Sequence, residues 1–202
     1  VAHNARGYDA HLLLPALERM SGVRVDVVRP GQKIMLMSIS RYTIRFYDSL
    51  NHITNKLSNL PKTFGFDVTL GENAIAIGKT KFKRGDDLRE ACERLLLTPV
   101  DDFDDLYGQL KEADNLEKGY FPYRFPYSPG YVGDTPSIEL WGMENKSQAD
   151  FDTFADWHAE RGTTSYVYDL ELEKYCKADV VILARAMHHY QKFGRELTGI
   201  AP

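Results

Sequence analysis

Two short segments, far apart in the sequence, carry acids at positions where a metal ion could be bound. In the first, His3–Asp9, an apolar strand end is followed by a loop that contains glycine, and then by an aromatic residue and an acid that open a helix. Asp9 would then lie at a strand–loop–helix junction, where side chains converge on a cleft. The alternative is that Asp9 is only a helix cap or a first-turn acid, a common position for acidic residues.

The second segment, Tyr175–Asp179, lies in the strongest predicted helix of the chain, Leu170 to about Phe193. Because positions i and i+4 share one helix face, the Tyr175 hydroxyl and the Asp179 carboxylate project together. The surrounding positions of this face are apolar, and a carboxylate among apolar side chains is costly unless it is paired or bound to a metal. The alternative is an exposed acid without a structural partner.

Together the two segments indicate hydrolysis of a phosphodiester by means of two metal ions. Such a reaction needs several carboxylates from different elements, where one metal generates hydroxide and both stabilise the charge at phosphorus. Magnesium prefers oxygen ligands and keeps some of its waters. A tyrosine beside the ligand helix, here Tyr175, can orient the attacking water through its hydroxyl.

The elements that must position these residues follow the pattern of an α/β domain. Three β-branched, partly alternating runs, separated by turns at Pro30-Gly31 and Ser40-Arg41, predict adjacent strands of one mixed β-sheet. Helical periodicity predicts flanking helices, of which the first contains Pro15 and should kink or restart there. The predicted strands are Val23–Val28, Ile34–Ile39 and Tyr42–Tyr47, and the predicted helices are Tyr8–Met20, Ile53–Leu60, Asp150–Glu160 and Leu170–Phe193.

The span Val68–Glu117 differs in composition and is interpreted as a surface insertion. It contains a basic cluster, Lys79–Arg84, and an acidic cluster, Asp101–Asp105, and only Asp87–Leu97 has convincing helical periodicity. The basic cluster is more typical of a solvated loop than of a DNA clamp. After this span, residues 122–136 predict an ordered loop. The aromatic residues of the helix that follows have the spacing of core positions: Phe151, Phe154 and Trp157.

Composition excludes several classes of protein. Of the 202 residues, 43% are hydrophobic and 12% aromatic, which is enough for a core and excludes a disordered chain. The net charge of −4 excludes nucleic-acid binding through bulk basicity, but not an enzyme that holds nucleic acid around metal ions. Cys92 and Cys176 lie far apart, which favours a reducing, intracellular location over a disulfide framework. No apolar run approaches the length of a membrane span, so no membrane partner is expected.

Five short motifs, in this order along the chain, resemble those of family B DNA polymerases of the protein-primed type. Asn-x3-Tyr-Asp at 4–9 resembles the second exonuclease motif, and Tyr-x3-Asp at 175–179 resembles the third in its tyrosine-bearing form. Between them, Phe46–Leu50 matches the Ser-Leu motif that holds single-stranded DNA. Leu60–Gly65 and Lys118–Pro122 are typical of polymerases of Maverick/Polinton-like elements and related viruses. The resemblance covers residues 1–67 and 118–190.

This resemblance implies an RNase H-like fold and a proofreading 3′→5′ exonuclease that uses two Mg²⁺ or Mn²⁺ ions. Asp9 and Asp179 would bind the metal ions, and Tyr175 would orient the attacking water. The implied contacts of the 3′-terminal nucleotides are His3, Asn4 and Tyr8, and those of the frayed single strand are Ser49, Leu50, Lys118 and Tyr123. The implied partners are the 3′ end of single-stranded DNA, nucleotides and a primer terminus in the complete polymerase, and a terminal priming protein.

The chain departs from the family pattern at both ends. The first exonuclease motif, Asp-x-Glu, would lie before Val1, and the polymerase motifs would lie after Pro202. We therefore expect a partial exonuclease domain at 1–202, without the polymerase domain, that is inactive alone with either metal. A stand-alone nuclease of the four-acid DEDD class and a non-catalytic RNase H-like module that binds single strands are the alternatives. A location in the nucleus or at a viral replication site follows from the resemblance alone.

Overall fold

The computed structural model describes residues 2–5, 9–113, 118–162 and 164–199, which form two compact units. The first unit comprises Val1–Phe66 and Leu183–Pro202, and the second comprises Asp67–Ile182. Helices and short antiparallel sheets occur together in the described residues, so the α/β class is confirmed.

The sheet of the first unit has its strands where the alternating pattern predicts them. Strands β1 (Val25–Val28), β2 (Leu36–Ile39) and β3 (Ile44–Tyr47) form an antiparallel meander in which Val25 pairs with Ile39 and Leu36 with Tyr47. Each strand begins two residues after its predicted start. Helix α1 (Asp9–Glu18) covers one face through Ala10 and Leu14, which pack with Ile34 and Met37.

The expected single mixed sheet is replaced, in the described residues, by three small antiparallel sheets. The reason lies in the connections, because short turns return the chain antiparallel, whereas a parallel pairing needs a crossover of a dozen or more residues. Parallel pairing is limited there to an isolated bridge between Ala2 and Asp48.

Two helices of the first unit differ from their predicted form. Helix α1 continues past Pro15 and ends at Glu18, so the proline neither restarts nor ends it. The helix predicted at 53–60 lies later, as a 3₁₀ turn at Leu57–Asn59 followed by α2 (Leu60–Phe64). Pro61 fits the first turn of α2 because its missing N–H has no helical partner there, and Gly65 ends the helix with a φ of 71°.

The span interpreted as an insertion is folded more fully than the sequence predicts. It contains strands β4 (Val68–Gly71), β5 (Ala74–Ile77) and β6 (Thr80–Phe82), followed by helices α3 (Arg89–Leu95) and α4 (Phe103–Lys111). Part of the acidic cluster starts α4, because the Asp102 carboxylate accepts hydrogen bonds from the backbone N–H groups of Asp104 and Asp105. The sheet and helices bury an apolar set of their own: Ile75, Ile77, Phe82, Leu88, Leu95, Phe103, Leu106 and Leu110.

The rest of the second unit is organised around an aromatic core. Helix α5 (Gln148–Arg161), the short pair β7 (Val132–Gly133) and β8 (Tyr166–Val167), and the first half of α6 (Tyr168–Thr198) surround it. As predicted, Phe151, Phe154 and Trp157 lie in this core. The other members are Tyr120, Phe121, Phe125, Tyr131, Ile138, Trp141, Met143, Tyr166, Tyr168 and Leu172. None of the described helices is both long and apolar enough to cross a bilayer.

Candidate functional site

One face of α6 carries the two residues of the third exonuclease-like motif. Tyr168, Leu172, Tyr175, Asp179 and Ile182 follow each other at intervals of four and three, which places them on one stripe of the helix. Tyr168 and Leu172 pack in the aromatic core, and Ile182 is fully buried. Asp179 therefore lies on the packed face of the helix, with 26% of its side chain exposed.

The segment that begins at Lys118 is fixed by two aromatic anchors, one on each of two helices. The Tyr120 ring lies 4.9 Å from that of Trp157 in α5, and the Phe121 ring lies 5.3 Å from that of Tyr175 in α6. Because Phe121 lies between Lys118 and Tyr123 in sequence, its contact brings both of those residues close to α6.

Lys118, Tyr123, Tyr175 and Asp179 form one connected group, here called the Lys118 cluster. The Lys118 Nζ donates to both carboxylate oxygens of Asp179, at 3.0 and 2.8 Å. The same ammonium lies 4.7 Å from the centroid of the Tyr175 ring, within the range of a cation–π contact. The hydroxyls of Tyr123 and Tyr175 are hydrogen-bonded to each other, with their rings edge to face at 5.9 Å. The structure thus brings together two residues predicted to act on the metal and water, Asp179 and Tyr175, and two predicted to hold the single strand, Lys118 and Tyr123.

The two phenols of the cluster are neutral at physiological pH. Burial raises the pKa of the Tyr175 hydroxyl to about 12, and the exposed Tyr123 is hydrogen-bonded to it through its hydroxyl. A phenol in this state can donate or accept a hydrogen bond, but it does not act as a base near neutrality. Tyr175 is therefore suited to orient a water or a phosphate oxygen and not to remove a proton.

The Lys118 cluster does not by itself fit a pair of magnesium ions. Its single carboxylate, Asp179, has both oxygens engaged by Lys118. Within either unit, the described residues include no group of three His, Cys, Asp or Glu side chains placed to hold a metal. A two-metal site needs more hard oxygen ligands than one carboxylate supplies. Metal binding by Asp179 stays a prediction, and no step is assigned to it.

In the first unit, the second exonuclease-like motif and the Ser-Leu motif lie against each other. The Ala2 N–H donates to the Tyr47 carbonyl at 2.9 Å, and the Ser49 N–H donates to the Ala2 carbonyl at 2.8 Å. The Asp48 carboxylate, only 1% exposed, accepts hydrogen bonds from the backbone N–H groups of Asn4 and Leu50, both at 2.9 Å. These bonds join the two motifs side by side.

The side chains of His3 and Ser49 are engaged within the protein. The His3 ring contacts the Ser49 hydroxyl through Nδ1 and the Asn55 carbonyl through Nε2, each at 2.9 Å. Because a carbonyl only accepts, Nε2 carries the proton of its hydrogen bond. Ser49 is fully buried, and its hydroxyl oxygen also lies 3.0 Å from the Ala2 carbonyl oxygen. A direct contact of either polar group with DNA would require this network to open.

Other predicted site residues of the first unit are accessible. Asn4 is exposed and adopts a left-handed backbone with a φ of 63°, which asparagine tolerates better than most residues. Leu50 is half-buried. Asp9 is exposed at the first position of α1, as a first-turn acid would be. Its role as a metal ligand stays a prediction, and Tyr8 lies outside the described residues.

Sequence reasoning missed the structural part that Asp48 plays. The residue belongs to the Phe46–Leu50 motif but received no role of its own. Its signal was the acid directly before a turn, since aspartate accepts hydrogen bonds from backbone N–H groups one or two residues further on. In the structure it caps the 3₁₀ turn Ser49–Asn51 and also holds Asn4.

Comparison with models of known protein families, with curated proteins and with solved structures finds no match.

Proposed function

We propose that this chain is part of a family B DNA polymerase of the protein-primed type, namely its 3′→5′ proofreading exonuclease domain, with an RNase H-like fold. The observation that supports this proposal best is the Lys118 cluster. Lys118 and Asp179, which are 61 positions apart, make a two-pronged ion pair, and Tyr123 and Tyr175 are hydrogen-bonded beside it. Residues that the polymerase motifs place in one site are thus in mutual contact.

Each member of the cluster has a chemistry that suits a single-stranded 3′ end. Tyr123 is 65% exposed, so its ring is open to stacking with a base, and its bonded hydroxyl limits the orientations of the ring. Lys118 uses two of its three N–H donors on Asp179, which leaves the third for a phosphate oxygen. The neutral Tyr175 hydroxyl can hold a water or a phosphate oxygen in place.

For the proposed reaction, the resemblance implies that Asp9 and Asp179 are each metal-binding carboxylates, as are the acids of an Asp-x-Glu motif. The metal pair would supply the hydroxide and the charge stabilisation that phosphodiester hydrolysis requires. The described residues do not supply the full set of metal ligands. We therefore propose for the Lys118 cluster only that it binds the strand and orients a water or a phosphate oxygen.

Binding of the 202-residue chain to DNA tests the proposal. Anisotropy of labelled oligonucleotides should show tighter binding to a single strand than to a matched duplex. Tyr123→Ala should weaken single-strand binding by about 5-fold or more, since base–aromatic stacking contributes about 1–3 kcal/mol. Lys79→Ala, which removes an exposed lysine between β5 and β6, is the matched control and should leave affinity unchanged. Equal affinity for single strand and duplex would contradict the proposal.

A second candidate is the non-catalytic single-strand-binding module. The engagement of both Asp179 oxygens by Lys118 favours it, because a carboxylate held in this way stabilises the site without taking part in hydrolysis. The two candidates differ in one assay. A longer polypeptide that includes the Asp-x-Glu motif should release nucleotides from a 3′-labelled single strand in the presence of Mg²⁺ or Mn²⁺ if the domain is an exonuclease.

A further inference from the structure

Tyr127 is a large aromatic residue that the packing of the second unit leaves on the surface. It is 78% exposed, more than any other large hydrophobic side chain in the described residues. Its ring meets the Tyr168 ring of the core edge to face, at 6.0 Å and 81°. A single exposed aromatic side chain is ordinary on a protein surface, so its significance depends on the residues around it.

The loop that carries Tyr127 is built to hold it in one place. Pro126 and Pro129 flank it in sequence and restrict both their own backbone and that of the residue before each. The Ser128 hydroxyl donates to the Pro126 carbonyl at 2.8 Å, which closes the loop locally. A loop backbone held in this way loses little conformational entropy when a ligand binds.

The loop is also tied to the start of α6. The Gly130 N–H donates to the Asp169 carboxylate at 2.8 Å, and the Tyr168 N–H donates to the Tyr131 carbonyl at 3.0 Å. The Asp169 carboxylate is thus engaged by the loop. These bonds fix the position of Tyr127 relative to the helix that carries Tyr175.

Tyr127 is continuous with the Lys118 cluster through a row of ring contacts. The Tyr168 ring lies 5.9 Å from the Phe121 ring, which in turn lies 5.9 Å from the Tyr123 ring. The four rings Tyr127, Tyr168, Phe121 and Tyr123 are here called the aromatic ridge. Its middle members are largely buried, and its two ends, Tyr127 and Tyr123, are exposed.

We propose that Tyr127 is a second base-stacking residue, which binds a nucleotide of the single strand further from the 3′ end than the nucleotide at Tyr123. This inference rests on the proposed function, because it takes the 3′ terminus to lie at the Lys118 cluster. A strand that leaves the cluster along the aromatic ridge meets Tyr127 after Tyr123. Since every base has a π-face, stacking at both positions would be tolerant of sequence, as a proofreading site requires.

The dependence of affinity on oligonucleotide length tests the inference. Competition binding is measured with single strands from a trinucleotide upward, for the 202-residue chain and for Tyr127→Ala, Tyr127→Phe and Tyr123→Ala. Tyr127→Ala should weaken binding of the longer strands by about 5-fold or more and leave the trinucleotide unaffected. Tyr123→Ala should weaken binding at every length. Tyr127→Phe should bind as the unsubstituted chain does, because stacking uses the ring and not the hydroxyl.

Val132→Ala is the matched control, since Val132 is 64% exposed in the same unit and should not change affinity. Circular dichroism verifies that Tyr127→Ala folds, as expected for so exposed a residue. If Tyr127→Ala has no effect on affinity, or the same effect at every strand length, the inference about Tyr127 is wrong. A loss of affinity in Tyr123→Ala would in that case still support the proposed function. If neither tyrosine matters, or the chain does not bind single strands, the proposed function itself fails.

Discussion

The ion pair of the Lys118 cluster can be measured directly by a double-mutant cycle. The Lys118 Nζ lies 2.8 Å from an Asp179 oxygen, so the gross attraction is about 6 kcal/mol at an effective dielectric constant of about 20. Desolvation offsets most of this gain, because each side chain is only 26% exposed. Fully exposed pairs contribute about 0.2–1 kcal/mol. For this two-pronged, partly buried pair we expect a coupling free energy of about 1–2 kcal/mol.

The cycle uses Lys118→Met, Asp179→Asn and the double substitution, each of which keeps the approximate shape of the side chain. Free energies of unfolding from urea titrations give the coupling. The exposed pair Lys177–Glu173 on the same helix is the matched control, with an expected coupling of about 0.3–0.5 kcal/mol. The reasoning is refuted if the stability changes of the two single substitutions sum to that of the double substitution within about 0.3–0.5 kcal/mol, because independent residues behave in that way.

Three further predictions concern the charges and hydroxyls of both units. Asp179→Asn should preserve or strengthen binding of single-stranded DNA in anisotropy assays, because it frees the Lys118 ammonium. In any longer polypeptide that releases nucleotides, the same substitution should abolish that release. Tyr166→Phe should leave the free energy of unfolding unchanged or raise it by about 1 kcal/mol, because the buried Tyr166 hydroxyl has no hydrogen-bond partner among the described residues. Burial raises the pKa of Tyr166 and of Tyr175 to about 12 from an ordinary 10.0. The unfolded chain therefore loses these protons first. The stability that these two tyrosines contribute should be constant below about pH 10 and be lost between about pH 10 and about pH 12, as urea titrations would show.

Different results would contradict each of these predictions. Weaker strand binding by Asp179→Asn would mean that the carboxylate itself helps to hold the strand. A loss of more than about 1 kcal/mol in Tyr166→Phe would show that the hydroxyl has a partner, such as an ordered water. Stability that stays level up to about pH 12, or an alkaline decrease equally steep in Tyr166→Phe, would show that the buried tyrosines do not titrate as expected.

Patterns that repeat along one element predicted the structure best. The strands β1 and β2 alternate, and the apolar positions of α6 recur at three and four, so these elements could be recognised from the sequence alone. The aromatic face of α5 was predicted for the same reason. In each case a periodic face is buried against another element, and the periodicity records that burial.

The span Val68–Glu117 was underestimated because its signals are short. Strands of three and four residues contain at most two inward-facing and two outward-facing positions, which is too short for a clear alternating pattern, and glycines and lysines interrupt them. The start of α4 was hidden in an acidic run. Only the backbone geometry shows that Asp102 caps the helix and that Asp104 and Asp105 provide the capped N–H groups. A run of exposed acids and a capped helix start have the same composition here, so composition alone could not identify Asp102 as the cap.

Asp9 and Asp179 show what a local sequence pattern can and cannot establish. Both Asp9 and Asp179 allow a structural and a catalytic interpretation. Asp9, exposed in the first turn of α1, is stabilised by the helix dipole, so its position requires no ligand. Asp179 is different, because it lies on a packed face, where an unpaired carboxylate would be costly, and Lys118 supplies the partner. That partner is 61 positions away, and no periodicity within α6 could reveal it. In the proposed site the same lysine also binds the strand, which is why Asp179→Asn is expected to free its ammonium and to preserve or strengthen strand binding.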